Sequence, residues 1–198
     1  PENSKVIVCH LGNGSSISAV LNGKCIDTSM GLTPLEGLPM GTRSGDIDPA
    51  IVQFVANKEG KTVDEMLNIL NKQSGMLAVS GKSSDFRDLN DGMDAGDERC
   101  TLALELFAYK VAKYIGSYIT ALHGVDVIAF TAGVGENDDI VRKLVMEYFD
   151  YMGIKIDLEE NKKRGDDRYI STPDSSIKVV VIPTNEELRI ARETLELV

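Results

Sequence analysis

KVIVCHLGNGSSISAVLNGKCIDTS, at residues 5–29, predicts one side of a β-sheet. The run at 5–11 is apolar and rich in β-branched residues, which is typical of a buried strand. Residues 16–21 alternate between polar and apolar, and Asn22-Gly23 is a strong two-residue hairpin signal that leads into a third strand at 24–29. We therefore expect an antiparallel meander of three strands, with a glycine-rich turn between the first two.

The remaining strands are predicted to be joined through helices. Residues 97–123 carry apolar side chains every three or four positions and form the clearest helix. The runs at 125–131 and 177–182 are apolar strands, and a helical segment follows each of them. Tight turns join antiparallel strands, whereas helical crossovers join parallel ones. The sequence therefore predicts an α/β fold in one domain over 1–198, with a mixed sheet flanked by helices, which is the pattern of the ribonuclease H-like domain of the actin-like ATPases.

Three further helices are each expected to bury one apolar face. The faces are Ile51, Val52, Phe54 and Val55 after the helix start Asp48-Pro49; Ile140, Leu144, Tyr148 and Met152 after a second glycine turn at 133–135; and Leu188, Ala191 and Leu195 in the last helix. Residues 30–47, rich in Gly, Pro, Thr and Ser, and the charged residues 161–167 are predicted to be loops. A loop as long as 30–47 in a compact domain is usually functional or disordered.

The chain is acidic, and this restricts its partners. Its 198 residues contain 21 Lys and Arg against 31 Asp and Glu, which gives a formal net charge of −10. Duplex nucleic acid is bound mainly through basic residues, so no nucleic-acid partner is expected. A nucleotide remains compatible with the charge, because bound Mg²⁺ can offset it.

The sequence favours a cytoplasmic protein. No apolar run reaches the roughly 18–20 residues that cross a bilayer, and no secretory leader is visible, so no membrane interaction is expected. Cys9, Cys25 and Cys100 are odd in number and far apart, which argues against a disulfide framework or a zinc site. The start at Pro1, without Met and close to a strand, is typical of a domain taken from a longer protein.

Two glycine-rich turns follow predicted strands. The segment Gly12-Asn13-Gly14-Ser15-Ser16 is either a plain hairpin turn or a phosphate cradle made of backbone N–H groups, the Asn13 amide and the serine hydroxyls. The segment Gly133-Val134-Gly135 lacks the third glycine of the dinucleotide fingerprint and the Gly-Lys-Ser/Thr of a P-loop. Small residues at that position still let a base or a sugar lie against the backbone at a helix N-terminus.

Several charged residues have both a functional and an ordinary interpretation. Arg43, within Gly41-Thr42-Arg43-Ser44-Gly45, is either a solvated surface side chain or a cation that faces a phosphoryl group. Asp85 and Arg87 can form a plain exposed ion pair. Glu186, in the first turn of the last helix, suits the helix dipole without any metal.

Six stretches of this sequence together resemble the C-terminal half of the acetate kinase family. They are HLGNGSS at 10–16, DTSMGLTPLEG at 27–37, MGTRSGDIDP at 40–49, SSDFRD at 83–88, FTAGVGEN at 130–137 and PTNEE at 183–187. They follow the family's order and span nearly the whole chain. The second and third stretches are highly specific, whereas the glycine pairs are not.

The resemblance implies a role for the residues within these stretches. Asn13 and Gly14, with the backbone around them, would hold the β- and γ-phosphates, and His10 and Gly12 would be further nucleotide-binding residues. Arg43 would face the transferring phosphoryl group and the acetate. The adenosine and its ribose would contact Asp85, Phe86 and Arg87, and the adenine would be bordered by Gly133, Val134, Gly135 and Asn137. Mg²⁺ would be bound or oriented by Glu186.

The resemblance also implies a reaction and an assembly. Family members transfer a phosphoryl group reversibly between ATP and acetate, which yields acetyl phosphate and ADP, with Mg²⁺ or Mn²⁺ as the metal. They are built from two related domains with the active site between them, and they act as homodimers. This chain would be the second domain. We expect it to be inactive alone, because a catalytic aspartate, an arginine and a histidine belong to the other half.

Three alternative functions stay open at this point. Propionate and butyrate kinases share the nucleotide-binding half, and the acid pocket lies largely in the other half, so this sequence does not determine the length of the acceptor acid. A non-catalytic nucleotide-binding module of the actin-like type is a second alternative, which the loop around Arg43 disfavours. A domain without any ligand is disfavoured by the two glycine turns and the long loop.

Overall fold

The structure is a computed structural model that describes residues 2–197. Within that part of the chain, six strands form one sheet in the order β3-β2-β1-β4-β6-β5. The strands are β1 (Lys5–Leu11), β2 (Ser15–Leu21), β3 (Lys24–Thr28), β4 (Val127–Thr131), β5 (Arg168–Tyr169) and β6 (Lys178–Val181). The predicted meander is confirmed, since β1 pairs antiparallel with β2 and β2 with β3.

The other side of the sheet is parallel. Strand β4 pairs with β1, with His10 opposite Thr131, and β6 pairs with β4 on its far side. Strand β5 is antiparallel to β6 and has two residues, too few for a sequence pattern to reveal it. The predicted mixed sheet is therefore confirmed, and the carboxyl ends of β1, β4 and β6 open at one edge.

Nine α-helices occur within residues 2–197. They are α1 (Ala50–Glu59), α2 (Val63–Lys72), α3 (Gly75–Ser80), α4 (Phe86–Asp94), α5 (Glu98–Ala121), α6 (Ala132–Asn137), α7 (Asp139–Glu147), α8 (Leu158–Lys162) and α9 (Glu186–Leu197). The predicted long helix is α5, and it begins where the Asp97 carboxylate accepts hydrogen bonds from the N–H groups of Arg99 and Cys100. None of these helices is both long enough and apolar enough to cross a membrane.

The core lies between α5 and the first strands of the sheet. Leu104, Phe107 and Val111 of α5 are fully buried, as are Ile7 of β1 and Ile17 of β2. Burying a side chain of this size contributes about 1.5–3 kcal/mol relative to leaving it exposed. This packing fixes the strand ends from which the functional segments emerge.

The predicted apolar faces of α1 and α9 are not buried. In α1, Ile51 is 42% and Phe54 62% exposed, while Val52 and Val55 are half-buried. The predicted face of α9 is exposed throughout, at Leu188, Ala191 and Leu195. Apolar spacing predicts which residues share a face, but such a face is buried only where another segment packs on it. Within residues 2–197, α2 is the only helix or strand on which α1 packs extensively. In the same range, no residue of α9 is buried.

The buried face of α7 is displaced by one residue from the predicted one. The buried side chains are Val141, Arg142, Val145 and Met146. The predicted set, Ile140, Leu144, Tyr148 and Met152, is half-buried or exposed. Arg142 makes the buried face of α7 look less apolar in the sequence than the adjacent face does. The prediction that the adjacent face is buried is therefore wrong.

Two of the segments predicted as turn or loop contain helices. Gly133 to Gly135 lie inside α6, and Asn161 belongs to α8 instead of a solvated loop. Asn161 is buried because its amide accepts a hydrogen bond from Arg142 Nε (2.7 Å) and donates one to the carbonyl of Asp139 (2.9 Å). The predicted loop at 30–47 is confirmed, since it contains neither helix nor strand.

Candidate functional site

The predicted site residues gather at the edge where the parallel strands end. The glycine turn at 12–14 follows β1, helix α6 follows β4, and the segment 182–185 follows β6. In open α/β sheets, ligands bind in the crevice outside the carboxyl ends of the strands. Two adjacent clefts lie at this edge.

The first cleft has a volume of about 760 Å³ and unites most of the predicted nucleotide residues. The predicted residues along it are Gly12, Asn13, Asp85, Phe86, Arg87, Gly133, Val134 and Asn137. Sequence reasoning missed the eight other lining residues, which are Ser84, Asn90, Asp91, Asp94, Asp138, Asp139, Ile140 and Arg164. Asn90 could have been predicted, because it lies three residues after Arg87 on the same helix and therefore on the same face.

The glycine turn after β1 is tightly built. The Gly12 N–H donates to the carbonyl of Gly14 (3.1 Å), and the buried Ser15 hydroxyl donates to the carbonyl of Gly12 (2.9 Å). A Cβ at Gly12 would lie 3.2 Å from that Gly14 oxygen, so a larger residue would crowd the turn. Ser15 thus stabilises the turn from inside and is not free to meet a ligand.

The loop that carries Arg43 is joined to this turn. The Gly41 N–H donates to the carbonyl of Asn13 (3.2 Å), and a Cβ at Gly41 would lie 2.0 Å from Asn13 Oδ1. Arg43 Nη1 lies 3.5 Å from the position that a Cβ on Gly14 would take. A larger residue at position 41 would have to displace the Asn13 side chain, and its Cβ would also lie 3.2 Å from the Ser84 carbonyl oxygen. The structure therefore brings Arg43 beside the glycine turn, although Arg43 and Gly14 do not line either cleft.

The Arg43 guanidinium keeps its charge available. Arg43 is half-buried, and Nη1 donates to Met40 Sδ (3.3 Å). Within residues 2–197, no carboxylate lies within 4.0 Å of it. A half-buried arginine without a carboxylate partner is suited to bind an anionic oxygen.

The same loop is tied to α5 by a tyrosine hydroxyl. Tyr114 Oη donates to Asp46 Oδ2 (2.5 Å), and Asp46 Oδ1 accepts from the Gly37 N–H (2.8 Å). Partial burial and the neighbouring Asp46 carboxylate raise the pKa of Tyr114 above its usual value, so the phenol keeps its proton near neutral pH. Asp46 therefore fixes the loop three residues after Arg43.

Asp85 and Arg87 form a pair at the start of α4. Arg87 donates its backbone N–H (2.9 Å) and its Nε and Nη2 to the Asp85 carboxylate, with the Nη2 contact at 2.6 Å. These hydrogen bonds lower the pKa of Asp85 to about 2. The Arg87 side chain is 88% exposed. Phe86 between them lines the cleft, but its ring is 5% exposed and packs edge-on against Phe107.

Helix α6 forms the opposite wall of the first cleft. Gly133, Val134 and Asn137 line it, and Asn137 Nδ2 donates to the carbonyl of Gly133 (3.0 Å). Gly135 is buried instead, and a Cβ there would lie 3.5 Å from the carbonyl oxygen of Cys9. Gly135 therefore serves the packing of α6 on β1 and does not reach the cleft.

The second cleft, about 390 Å³, brings together two further predicted residues, His10 and Glu186, whereas Gly14, Arg43 and Gly135 line neither cleft. Gly133 lines both clefts, and the second is completed by Ala132, Glu136, Thr184, Asn185 and Glu187. Its acidic groups do not form a metal cage, since residues 2–197 contain no cluster of three or more His, Cys, Asp or Glu that could hold a metal ion. Mg²⁺ in nucleotide enzymes is commonly held by one or two carboxylates together with phosphates and water.

Comparison with known proteins gives a consistent result. Residues 1–192 match the model of the acetokinase family. The acetate kinase of Agathobacter rectalis is 64% identical over 197 residues, which are 99% of this chain and 50% of the relative. The crystal structure of Porphyromonas gingivalis acetate kinase superposes with a TM-score of 0.94 at 45% identity, over 98% of this chain and 49% of that one. A propionate kinase from Francisella tularensis gives 0.90 at 45% identity, over 96% and 49%.

These similarities confirm the predicted α/β, actin-like ATPase fold and the resemblance of the six stretches. The chain spans about half the length of the curated relatives it matches. The family model covers far more than half of the chain, and several relatives exceed 55% identity over nearly all of it. This chain is a member of the acetokinase family.

Proposed function

We propose that this chain is the C-terminal, nucleotide-binding half of a two-domain acetate kinase. The reaction is the reversible transfer of a phosphoryl group from ATP to the carboxylate of acetate, which yields acetyl phosphate and ADP. The observation that carries the proposal is the Arg43 guanidinium, which has no carboxylate partner among residues 2–197 and is held beside Gly14, next to the lining residues Gly12 and Asn13 of the first cleft. A cation next to a nucleotide-sized cleft is what phosphoryl transfer requires.

Each part of the cleft has a role in this reaction. The adenosine lies in the first cleft between α6 and the start of α4, where Asp85 and Arg87 bind the ribose side. The turn around Asn13 binds the phosphates through backbone N–H groups. Arg43 stabilises the charge on the transferring group, and transfer to acetate is direct and in line. Positioning and charge neutralisation supply most of the catalysis in such reactions.

The second cleft suits a metal held mainly by the nucleotide. Glu186 is an exposed carboxylate there, and His10 and Glu136 lie on the same cleft. One carboxylate is enough when phosphates and water supply the other ligands, so these residues fit Mg²⁺ or Mn²⁺. When bound, the metal neutralises phosphate charge, and Glu186 orients it.

The other half of the enzyme supplies the remaining groups. Following the family resemblance, we place the acetate pocket, a catalytic aspartate, an arginine and a histidine in the N-terminal half, and we infer a homodimer in the cytoplasm that serves organic acid metabolism. The 198-residue chain alone is then expected to bind nucleotide without making acetyl phosphate.

Nucleotide binding by the chain itself is the first test. Calorimetric titration with Mg·ADP should show saturable binding, and Arg87→Ala should weaken it about tenfold, the effect of losing about 1.4 kcal/mol of charge-assisted contact. Lys113→Ala, which removes an exposed cation on α5, is the matched control and should bind like the parent chain. A chain that melts cooperatively but binds no Mg·ADP would contradict an autonomous nucleotide site.

The length of the acceptor acid is the second test, because the propionate kinase neighbour makes that activity the alternative. On the complete two-domain enzyme we expect kcat/KM to fall in the order acetate, propionate, butyrate. One methylene in an apolar pocket changes kcat/KM about 10–200-fold, so the order is measurable. If kcat/KM is highest for propionate, the preferred substrate is propionate and not acetate. Nucleotide binding without turnover of any of the three acids would support a non-catalytic module.

A further inference from the structure

One carboxylate oxygen joins two segments that sequence reasoning treated separately. Oε1 of Glu136, in α6, accepts hydrogen bonds from the N–H of Ala132 (2.9 Å), the N–H of Thr184 (2.8 Å) and the hydroxyl of Thr184 (2.9 Å). Ala132 begins α6, and Thr184 lies two residues before Glu186. Glu136 therefore connects the wall of the first cleft to the acidic segment of the second.

The backbone at this junction is strained. Ala132 has φ +65°, a left-handed conformation that is unfavourable for a residue other than glycine. Its N–H is held by Glu136 and also lies 3.1 Å from Thr184 Oγ1, which in turn lies 2.7 Å from Thr131 Oγ1. Strain of this kind persists only where the surroundings impose it, and here the surroundings are Glu136 and Thr184.

The segment before α9 depends on these contacts. The last backbone hydrogen bond of the β4–β6 ladder runs from the Ile182 N–H to the carbonyl of Phe130 (2.9 Å). Pro183 has no N–H to continue the ladder. Among residues 2–197, Thr184 is then held by Glu136, Thr131 and the Ala132 N–H. The position of Glu186 follows from how Thr184 is held.

We propose that Glu136 is a positioning residue that holds Glu186 at the second cleft through Thr184. The inference rests on the proposed function, since it concerns the carboxylate assigned to the metal of Mg·ATP. Oε1 of Glu136 already accepts three hydrogen bonds, all from Ala132 and Thr184, so this oxygen holds the protein chain in place. A glutamine at position 136 retains an acceptor oxygen without the charge, whereas an alanine retains neither. If Glu136 acts by positioning, glutamine should replace it; if it binds the metal through its charge, glutamine should not.

The test uses the complete two-domain enzyme, with kcat, KM for ATP, KM for acetate and the half-saturating Mg²⁺ concentration measured for each variant. The Mg²⁺ concentration that half-saturates ADP binding, measured by calorimetry without turnover, gives the readout that is independent of activity. Glu136→Ala should raise the half-saturating Mg²⁺ concentration about tenfold or more and change KM for acetate less than about twofold. Glu136→Gln should stay within about threefold of the parent enzyme for Mg²⁺. Glu147→Ala removes an exposed carboxylate that pairs with Lys143 on α7, and this control should behave like the parent.

A double-mutant cycle tests the connection through Thr184. Thr184→Val keeps the backbone N–H but loses the hydroxyl, so we expect a smaller rise, about threefold, in the half-saturating Mg²⁺ concentration. In the Glu136→Ala background the same change should add less than about twofold, because the contact is already absent. Fully additive effects would overturn the proposed connection. If Glu136→Ala does not fold, the half-saturating Mg²⁺ concentrations of Glu136→Gln and Thr184→Val decide whether the proposed positioning role holds.

The possible failures are distinguishable. If the parent enzyme makes no acetyl phosphate, the proposed function fails and the inference falls with it. If the parent is active and Glu136→Ala has an unchanged Mg²⁺ dependence, the positioning role alone is wrong. If Glu136→Gln loses as much as Glu136→Ala, the carboxylate acts by its charge, which also overturns the inference.

Discussion

Arg43→Ala in the complete enzyme is expected to lower kcat by about 10³–10⁵, while KM for ATP changes little. The guanidinium lies beside Gly14 and has no carboxylate within 4.0 Å among residues 2–197, so its charge is available to the transferring group. An arginine that stabilises a phosphoryl-transfer transition state is worth this much in comparable enzymes. The binding site for the adenosine does not include it, which is why the effect should appear in kcat.

A lysine at the same position is the informative control. Arg43→Lys retains a positive charge but loses the planar pair of donors that binds two oxygens at once, so we expect a loss between that of alanine and none. Initial rates of acetyl phosphate formation, with a thermal melt of each variant, separate catalysis from stability. A loss below tenfold for Arg43→Ala in a folded enzyme would exclude the transition-state role.

Most of the sheet and the long helix could be predicted because they are determined by local pattern. Alternation at 16–21, the Asn22-Gly23 turn and the apolar stripe of α5 each encode their structure within a few residues. The outward faces of α1 and α9 could not be predicted in the same way. Their apolar spacing is real, but no local signal specifies whether another segment covers it.

The site was predictable to the extent that its segments begin at strand ends. The turn after β1 and helix α6 after β4 were identified in this way, and the structure brings them to one cleft. The contacts between distant side chains were not predictable. Glu136 and Thr184 are 48 residues apart, and only the parallel pairing of β4 and β6 makes them neighbours. Gly135 was predicted to border the ligand because it belongs to the glycine motif at 133–135, but in the structure it packs α6 against β1.

Arg142 is the largest fully buried side chain, and it connects α6, α7 and α8. Its Nη1 donates to the carbonyl of Gly135 (2.9 Å), its Nε to Asn161 Oδ1 (2.7 Å), and its Nη2 to the carbonyl of Asn161. Burial lowers the pKa of Arg142 to about 10, so the group remains charged at neutral pH. The buried charge is accommodated by hydrogen bonds to neutral oxygens, and the nearby carboxylates of Asp138 and Asp139 favour the charged form.

Arg142→Met should therefore destabilise the fold by about 3 kcal/mol or more. Methionine fills a similar volume but removes the hydrogen bonds that Arg142 donates to the two carbonyls and to the Asn161 amide oxygen, and each buried acceptor left unpaired costs about 1–3 kcal/mol. Release of the buried charge offsets part of this cost. Arg189→Ala, which removes an exposed pair with Glu193, should change stability by less than about 1 kcal/mol. Urea unfolding of the cooperatively melting chain measures both, and equal midpoints for the two variants would show that α8 does not depend on Arg142.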